Sequence, residues 1–297
     1  MRVAIHDGDC FQARFPNLAL MKIFAWHKSQ GDSVEWYLDL AEKYYDRVYS
    51  SKVFTFTGVD PSLTKRAILG GTGYGLFDSL PNEIENASPD YSLYPDFKYA
   101  LGFITRGCVR RCEWCVVPRK EGGIRWTGKH CADIADGRKG IVLLDNNFLA
   151  WDGSDFELEE IAFRKFRIDF NQGLDARLVT LANAKLLANV KWIKHTMRFS
   201  CDTPAMREHV KHAVGMIRGF GFKGYFTCYV LVGENINDAF ETCEFLRGLK
   251  VDPFAQAFID YTGRRTRTKE QKDFCHWVNK KSLFKSVAWR DFDPRRS

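Results

Sequence analysis

Thr105-Arg106-Gly107-Cys108-Val109-Arg110-Arg111-Cys112-Glu113-Trp114-Cys115 places three cysteines in a C-x3-C-x2-C spacing behind the apolar run that begins at Leu101. Leu101–Thr105 reads as a strand, so the cysteines fall on the loop at its C-terminal end, where parallel α/β enzymes keep their chemistry. Three thiolates on one short loop can hold three irons of a cubane and leave the fourth iron without a protein ligand. That iron is open to a small molecule. A structural zinc site is the bland alternative. It needs a fourth Cys or His and usually comes as two paired ligand groups; no second C-x2-C pair occurs, although Cys131, His130 or another distant residue could complete a tetrahedron.

Outward from this loop a strand–helix rhythm recurs. The candidate strands are Leu101–Thr105, Ile141–Asp145, Ile168–Phe170, Thr196–Ser200, Tyr225–Val232 and Ala255–Ile259. Between them, Ser154-Asp155-Phe156-Glu157 has the form of a capping box ahead of Leu158, Ile161, Ala162 and Phe166. Thr203-Pro204 starts a second helix whose face carries Met206, Val210, Ala213, Val214 and Ile217, with Gly219 and Gly221 as stops. Repeated β/α units imply a parallel sheet with right-handed crossovers, and six are fewer than the eight of a closed barrel. The expected fold is α/β: an open partial (β/α)6 TIM-like barrel over residues 98–260.

Before it, Val3-Ala4-Ile5, a helical stretch from Leu18 to Lys28, Val34–Tyr37, Val53–Phe56 and Ala67–Leu69 running into Gly70-Gly71-Thr72-Gly73 predict a small Rossmann-like α/β domain over residues 1–80. Residues 81–97, with three prolines, read as a linker, and residues 261–297 as a basic helical extension.

The 297 residues are 45% hydrophobic, enough for a core, yet no apolar run approaches the roughly 20 residues that span a bilayer. The charged N-terminus does not read as a signal peptide, so a cytoplasmic location and no membrane partner are expected. Nine cysteines then read as thiols or metal ligands rather than disulfides. The net charge of +7 is uneven: residues 1–263 carry 33 basic and 33 acidic side chains, residues 264–297 carry 11 and 4.

The cysteine spacing, with the aromatic Trp114 immediately before the third cysteine, resembles the hallmark of the radical S-adenosylmethionine (SAM) superfamily. Arg106-Gly107-Cys108 and the segment Cys115–Gly122 are similar to the branch of cobalamin-associated and methylthiotransferase-like members. Leu143–Phe148, Asp169–Arg177 and Tyr229–Glu234 extend the resemblance at later strand ends. It implies a 4Fe-4S cluster on Cys108, Cys112 and Cys115 whose open iron chelates SAM. One electron then cleaves SAM to methionine and a 5′-deoxyadenosyl radical that takes a hydrogen atom from substrate. It also implies a low-potential electron donor such as flavodoxin or ferredoxin.

By position, the resemblance puts Trp114 beside the cluster and adenine, or simply in the core. Asp145, Asn146 and Asn147 fall where related enzymes accept hydrogen bonds from the SAM ammonium, although the sequence there is not the Gly-Gly-Glu form. Gln172 and Arg177 flank the third strand end, and Arg177 could pair with the methionyl carboxylate or be merely solvated. Ser200 and Asp202 could bind the ribose, or Asp202 could help cap a helix. Gly233 would let backbone approach adenine, or is a simple turn.

Two features limit the analogy. Only Cys10 precedes the motif, so the second, N-terminal cluster of methylthiotransferases has no ligand set. The scattered Cys131, Cys201, Cys228, Cys243 and Cys275 read as buried thiols. The Asp-x-His-x-x-Gly ligand motif of cobalamin domains is also absent, and His6-Asp7-Gly8 only echoes it, so a cobalamin-dependent methyltransferase is the lesser reading and a vestigial cobalamin-type domain the better one.

Finally, Arg264, Arg265, Arg267 and Lys269 lead a basic stretch interleaved with Phe274, Trp277 and Phe284. These residues either contact a nucleic acid or form a capping helix with a solvated face. The substrate is therefore open between a nucleic acid or nucleotide and a peptide. The alternative from another class is a non-catalytic, metal-stabilised nucleic-acid-binding protein.

Overall fold

A computed structural model describes residues 1–9, 15–260 and 266–296. Met1–Lys98 forms most of one compact unit; Tyr99–Phe258, with the chain from Thr266 onward, forms the other. No helix among the described residues is long and apolar enough to cross a membrane.

The first unit runs β1 (Arg2–Asp7), α1 (Leu18–Ser29), β2 (Ser33–Trp36), β3 (Arg47–Ser51), β4 (Ile68–Gly70) and the single-turn α2 (Asn82–Glu85). Its strands make a parallel sheet in the order β2-β1-β3-β4. Asn17 caps α1, its side-chain oxygen accepting from the Leu20 N–H at 3.3 Å. Behind the cap, Leu20, Met21 and Ile23 pack with Ile5.

Two expectations change here. The strand read at Val53–Phe56 is instead β3, at Arg47–Ser51. Val48 is buried with Ala4 and Tyr45, whereas beyond β3 the Asp9 carboxylate accepts the Val53 and Phe54 N–H groups and draws the chain off the ladder. The apolar run thus serves a turn. Residues 81–97, read as a linker, supply Ile84, Tyr91 and Leu93 to the same core as Ile5 and Leu20. Their prolines punctuate turns, but these three side chains tie the segment down. Gly71, at φ 97°, closes over Lys52: a Cβ there would lie 2.4 Å from the Lys52 carbonyl oxygen.

The second unit runs β5 (Ala100–Gly102), β6 (Thr105–Arg106), α3 (Val117–Lys120), β7 (Arg125–Trp126), α4 (Cys131–Ala135), β8 (Gly140–Leu143), α5 (Ser154–Phe163) and β9 (Arg167–Phe170). It continues with α6 (Leu181–Asn189), β10 (Lys191–Trp192), β11 (Thr196–Ser200), α7 (Arg207–Gly219), β12 (Tyr225–Val232), α8 (Ile236–Gly248), β13 (Asp252–Ala257), α9 (Lys269–Asn279) and α10 (Lys281–Ser286). Two parallel sheets result, β10-β9-β8-β5 and β11-β12-β13. A parallel bridge between Leu174 and Phe199 joins the segment after β9 to β11. The architecture is mixed α/β with parallel sheets, and all six expected strands of this region are present within a few residues.

The short antiparallel pair β6–β7 was not foreseen; it brackets the cysteine loop. Nor does the expected capping box form at Ser154. Glu157, fully buried, accepts from His130 Nδ1 at 2.6 Å and from the Cys131 N–H at 2.7 Å, so its carboxylate is committed to α4.

At the C-terminus, Thr268 and Gln271 form a reciprocal cap for α9. Phe274, Trp277, Val278 and Phe284 enter the main core of the second unit, and Trp277 Nε1 donates to the Val287 carbonyl at 2.9 Å. Trp277→Ala will therefore destabilise this unit by about 3–5 kcal/mol, the usual cost of emptying a large aromatic site. Thermal or urea unfolding measures it; a change under 1 kcal/mol would mean that the extension is not part of the core.

Candidate functional site

Cys108, Cys112 and Cys115 lie half-buried on the loop between β6 and α3. The loop closes through backbone: the Cys108 N–H donates to the Gly122 carbonyl at 3.2 Å, and the Cys115 N–H to the Cys112 carbonyl at 3.0 Å. Below it, Arg106 forms a two-pronged pair with Glu121 at 2.9 and 2.7 Å. Burial works to raise the Glu121 carboxyl, but the Arg106 guanidinium prevails and holds it below its ordinary range.

Three consecutive residues after β8 brace this loop in different ways. Asp145 accepts from the Thr105 N–H at 2.6 Å, the Thr105 hydroxyl at 2.7 Å and the Ile104 N–H at 3.2 Å. Burial pushes its carboxyl up to about 6 against those donors. Asn146 accepts the Gly107 N–H at 3.0 Å. Asn147 donates from Nδ2 toward Cys108 Sγ at 3.4 Å and Asp175 Oδ2 at 3.3 Å. Its Oδ1 is buried and has no hydrogen-bond partner among the described residues. Of the three expected ammonium acceptors, then, Asp145 and Asn146 are spent on loop geometry and Asn147 keeps an oxygen in reserve. Because a carboxylate only accepts, Asp175 fixes which way the Asn147 amide points.

Asp175 was not singled out from the sequence, yet it is the hub of the charged set. It takes Arg177 Nε at 2.7 Å and Nη2 at 3.0 Å, and Arg110 Nε at 3.0 Å. Burial opposes its ionisation, but the two guanidiniums outweigh it and lower its carboxyl. Arg177 is accordingly neither solvated nor wholly open: two of its nitrogens are held, close enough to the cysteines to feel their charge. The Cys112 and Cys115 thiols are pushed up chiefly by burial, with Arg177 pulling Cys112 back. The Arg110 N–H also points at Cys108 Sγ, at 3.3 Å.

Trp114 lies close enough to Asp202, just past the end of β11, to favour its ionised carboxylate. Burial raises the Asp202 carboxyl to about 6, while Arg177, the Leu231 backbone and Trp114 work the other way. Ser200 ends β11 half-buried, and Gln172 is exposed in the turn after β9. Gly233 follows β12 with nothing within 4 Å of where a Cβ would stand, and its carbonyl accepts from Gln271 Nε2 at 2.8 Å.

The basic-tail reading fares differently. Arg264 and Arg265 lie outside the described residues. Lys269 pairs with Asp273, and the interleaved rings Phe274, Trp277 and Phe284 are core, so they offer no stacking surface.

Three thiols on one short loop are a donor set of the type that iron–sulfur clusters take. Among the described residues, no three Cys, His, Asp or Glu side chains converge in a way that could hold one metal ion. Thiolates around a cubane need no such convergence, since each meets a different iron. Of the two residues named as possible zinc completions, His130 gives its Nδ1 to Glu157, and Cys131 is a buried thiol that burial pushes well up. Cobalamin fits poorly: His6 has both ring nitrogens engaged, Nδ1 with Ser50 Oγ at 2.8 Å and Nε2 with Asp60 at 3.2 Å.

No known family model matches the chain. A tRNA-2-methylthio-N(6)-dimethylallyladenosine synthase from Aquifex aeolicus (strain VF5) is 33% identical over 120 residues, which is 37% of this chain and 27% of that protein. The chain thus matches only about a quarter of that relative's length. The crystal structure of methylornithine synthase (PylB) overlaps 65% of each chain at a TM-score of 0.42 and 10% identity. By its three-cysteine loop and its sequence likeness to the Aquifex enzyme, the chain resembles the radical SAM superfamily.

Proposed function

We propose that this chain is a radical SAM enzyme whose residues 98–260 form an open partial (β/α)6 barrel, with Cys108, Cys112 and Cys115 as ligands of a 4Fe-4S cluster. It works in the cytoplasm with a low-potential donor of the flavodoxin or ferredoxin type. Residues 1–80 are a vestigial cobalamin-type domain in this reading, and 261–297 a structural extension. The bound cluster and SAM supply the homolytic chemistry.

The protein's own residues hold and orient. Asn147 Oδ1, buried and unpartnered beside Cys108, carries the reading. A buried acceptor without a donor costs about 1–3 kcal/mol, which a ligand ammonium at this position would recover. Arg177, with two nitrogens held by Asp175, presents its remaining edge to a carboxylate. Asp202 and Ser200, at the end of β11, would hold the ribose hydroxyls. Two N–H groups are directed at Cys108 Sγ, and hydrogen bonds to ligating sulfurs tune cluster potential.

After anaerobic reconstitution the protein should hold about four irons and four sulfides. With dithionite and no substrate, it should release 5′-deoxyadenosine from SAM. Asn147→Leu should retain the cluster absorption and bind SAM at least about tenfold more weakly, the scale of losing one hydrogen bond to a charged group. Unchanged SAM affinity would remove Asn147 from the site, and one zinc without sulfide would sink the whole reading.

A further inference from the structure

The cysteine loop and the strand pair around it carry a charge that the rest of the body does not. Residues 105–130 hold seven basic side chains against two acidic ones, although residues 1–263 as a whole are balanced. Two of the seven turn inward, Arg106 to Glu121 and Arg110 to Asp175. Arg111, Arg119 and Arg125 are exposed, Arg125 while also reaching Glu121 through its carboxylate at 3.6 Å and its backbone carbonyl, and Lys129 is half-buried nearby in sequence.

On the same pair stands Trp126, opposite Thr105 in the β6–β7 register. It is 47% exposed. Its ring lies parallel to that of Trp151, 8° between planes and 6.2 Å between centroids, with His130 at 5.2 Å. Its Nε1 donates to the Lys129 carbonyl at 3.1 Å. An exposed indole held on several sides is a fixed planar surface, and fixing it ahead of binding lowers the entropy cost of stacking. Cations around a pre-set aromatic plane are what single-stranded nucleic acids require: bases bring π-faces and the backbone brings phosphates. A duplex keeps its bases stacked internally and would leave the ring unused.

We propose that this face binds a single-stranded nucleic acid segment, with phosphates on Arg111, Arg125 and Lys129 and one base stacked on Trp126. The strand would then run beside the cysteine loop. This names the substrate class of the site and rests on the radical SAM reading for its catalytic meaning, though not for the binding itself. An acidic peptide matches the charge but has no comparable use for the indole.

The test uses the reconstituted full chain under anaerobiosis and a labelled, mixed-sequence single-stranded RNA of about twelve nucleotides, within the site size of such grooves. Affinity is measured across a salt series, beside substrate-free SAM cleavage. Binding should weaken with salt by about 0.7 log units per log unit for each phosphate held. Trp126→Leu should weaken binding about tenfold without changing that slope. Arg111→Gln with Lys129→Gln should flatten the slope by about 1.4, two phosphates' worth. SAM cleavage should stay unchanged in both variants. No binding by the unmodified protein at low salt, affinity and slope indifferent to both variants, or competition by poly-glutamate as strong as by RNA would each overturn the proposal. Failure of SAM cleavage in the unmodified protein would instead remove the radical reading and leave the binding result standing.

Discussion

Cys108→Ala, Cys112→Ala and Cys115→Ala will each abolish the broad iron–sulfur absorption of the reconstituted protein and, with it, reductive SAM cleavage. In the proposed cluster each thiolate would hold a different corner of the cubane, so no pair could compensate for a third. The other described cysteines offer no replacement. Cys131, Cys201, Cys228 and Cys243 are buried. Burial drives the Cys131 and Cys228 thiols far up, and raises Cys275 to about 11. A thiol must lose its proton to bind metal, so these groups are poor ligands even if a path to them opened. Cys243→Ala is the matched control: it removes a buried thiol of the same unit and should leave the absorption in place. Full turnover in any of the three motif variants would refute the cluster assignment.

The same contrast explains what could be read from the amino-acid sequence. Strands such as Thr196–Ser200 and Tyr225–Val232 were legible because alternate side chains are buried, Met197 and Phe199 in the first and Phe226, Cys228, Val230 and Val232 in the second. The cysteine spacing was legible because its residues are adjacent in the chain. Asp175 was not, because its importance comes from Arg110 and Asn147, 65 and 28 residues away, whose side chains meet it only after folding. Val53–Phe56 misled for a related reason. An apolar run signals burial, yet here the Asp9 carboxylate claims the backbone groups a strand would need. Glu157 shows the rule again, since Ser154–Glu157 has every residue of a capping box and the glutamate is diverted by a tertiary partner. Local pattern was reliable for backbone elements and weak wherever a buried charge chose its partner across the sequence.

The tail and the strand pair make one further point about charge. The tail holds the chain's net excess of cations, yet its rings are core. Trp126 is exposed on a segment whose excess is masked by acidic residues elsewhere in the body. Net charge over a long window thus drew attention to the tail, whereas charge per folded surface draws it to the strand pair.

Gly107→Ala should come close to the cysteine substitutions in effect although it removes no ligand. Gly107 adopts φ 83°, and a Cβ there would sit 2.1 Å from the Gly123 carbonyl oxygen. The left-handed backbone costs an L-residue about 1–2 kcal/mol. The clash is with backbone rather than with a movable side chain, so forcing it adds about 1–3 kcal/mol more. Relief requires the 122–123 backbone to withdraw, which would open the bond from the Cys108 N–H to the Gly122 carbonyl and displace the first cysteine. Gly122→Ala separates the two contributions, because Gly122 has φ 73° but nothing within 4 Å of a Cβ. It should pay only for the left-handed backbone and keep most of its iron. The measurement is iron and sulfide content after identical anaerobic reconstitution, with far-UV circular dichroism to establish that each variant is folded. Severe iron loss in Gly107→Ala with near-normal content in Gly122→Ala is the expected outcome. Equal retention in both would mean that closure of the loop against Gly123 does not set the position of Cys108.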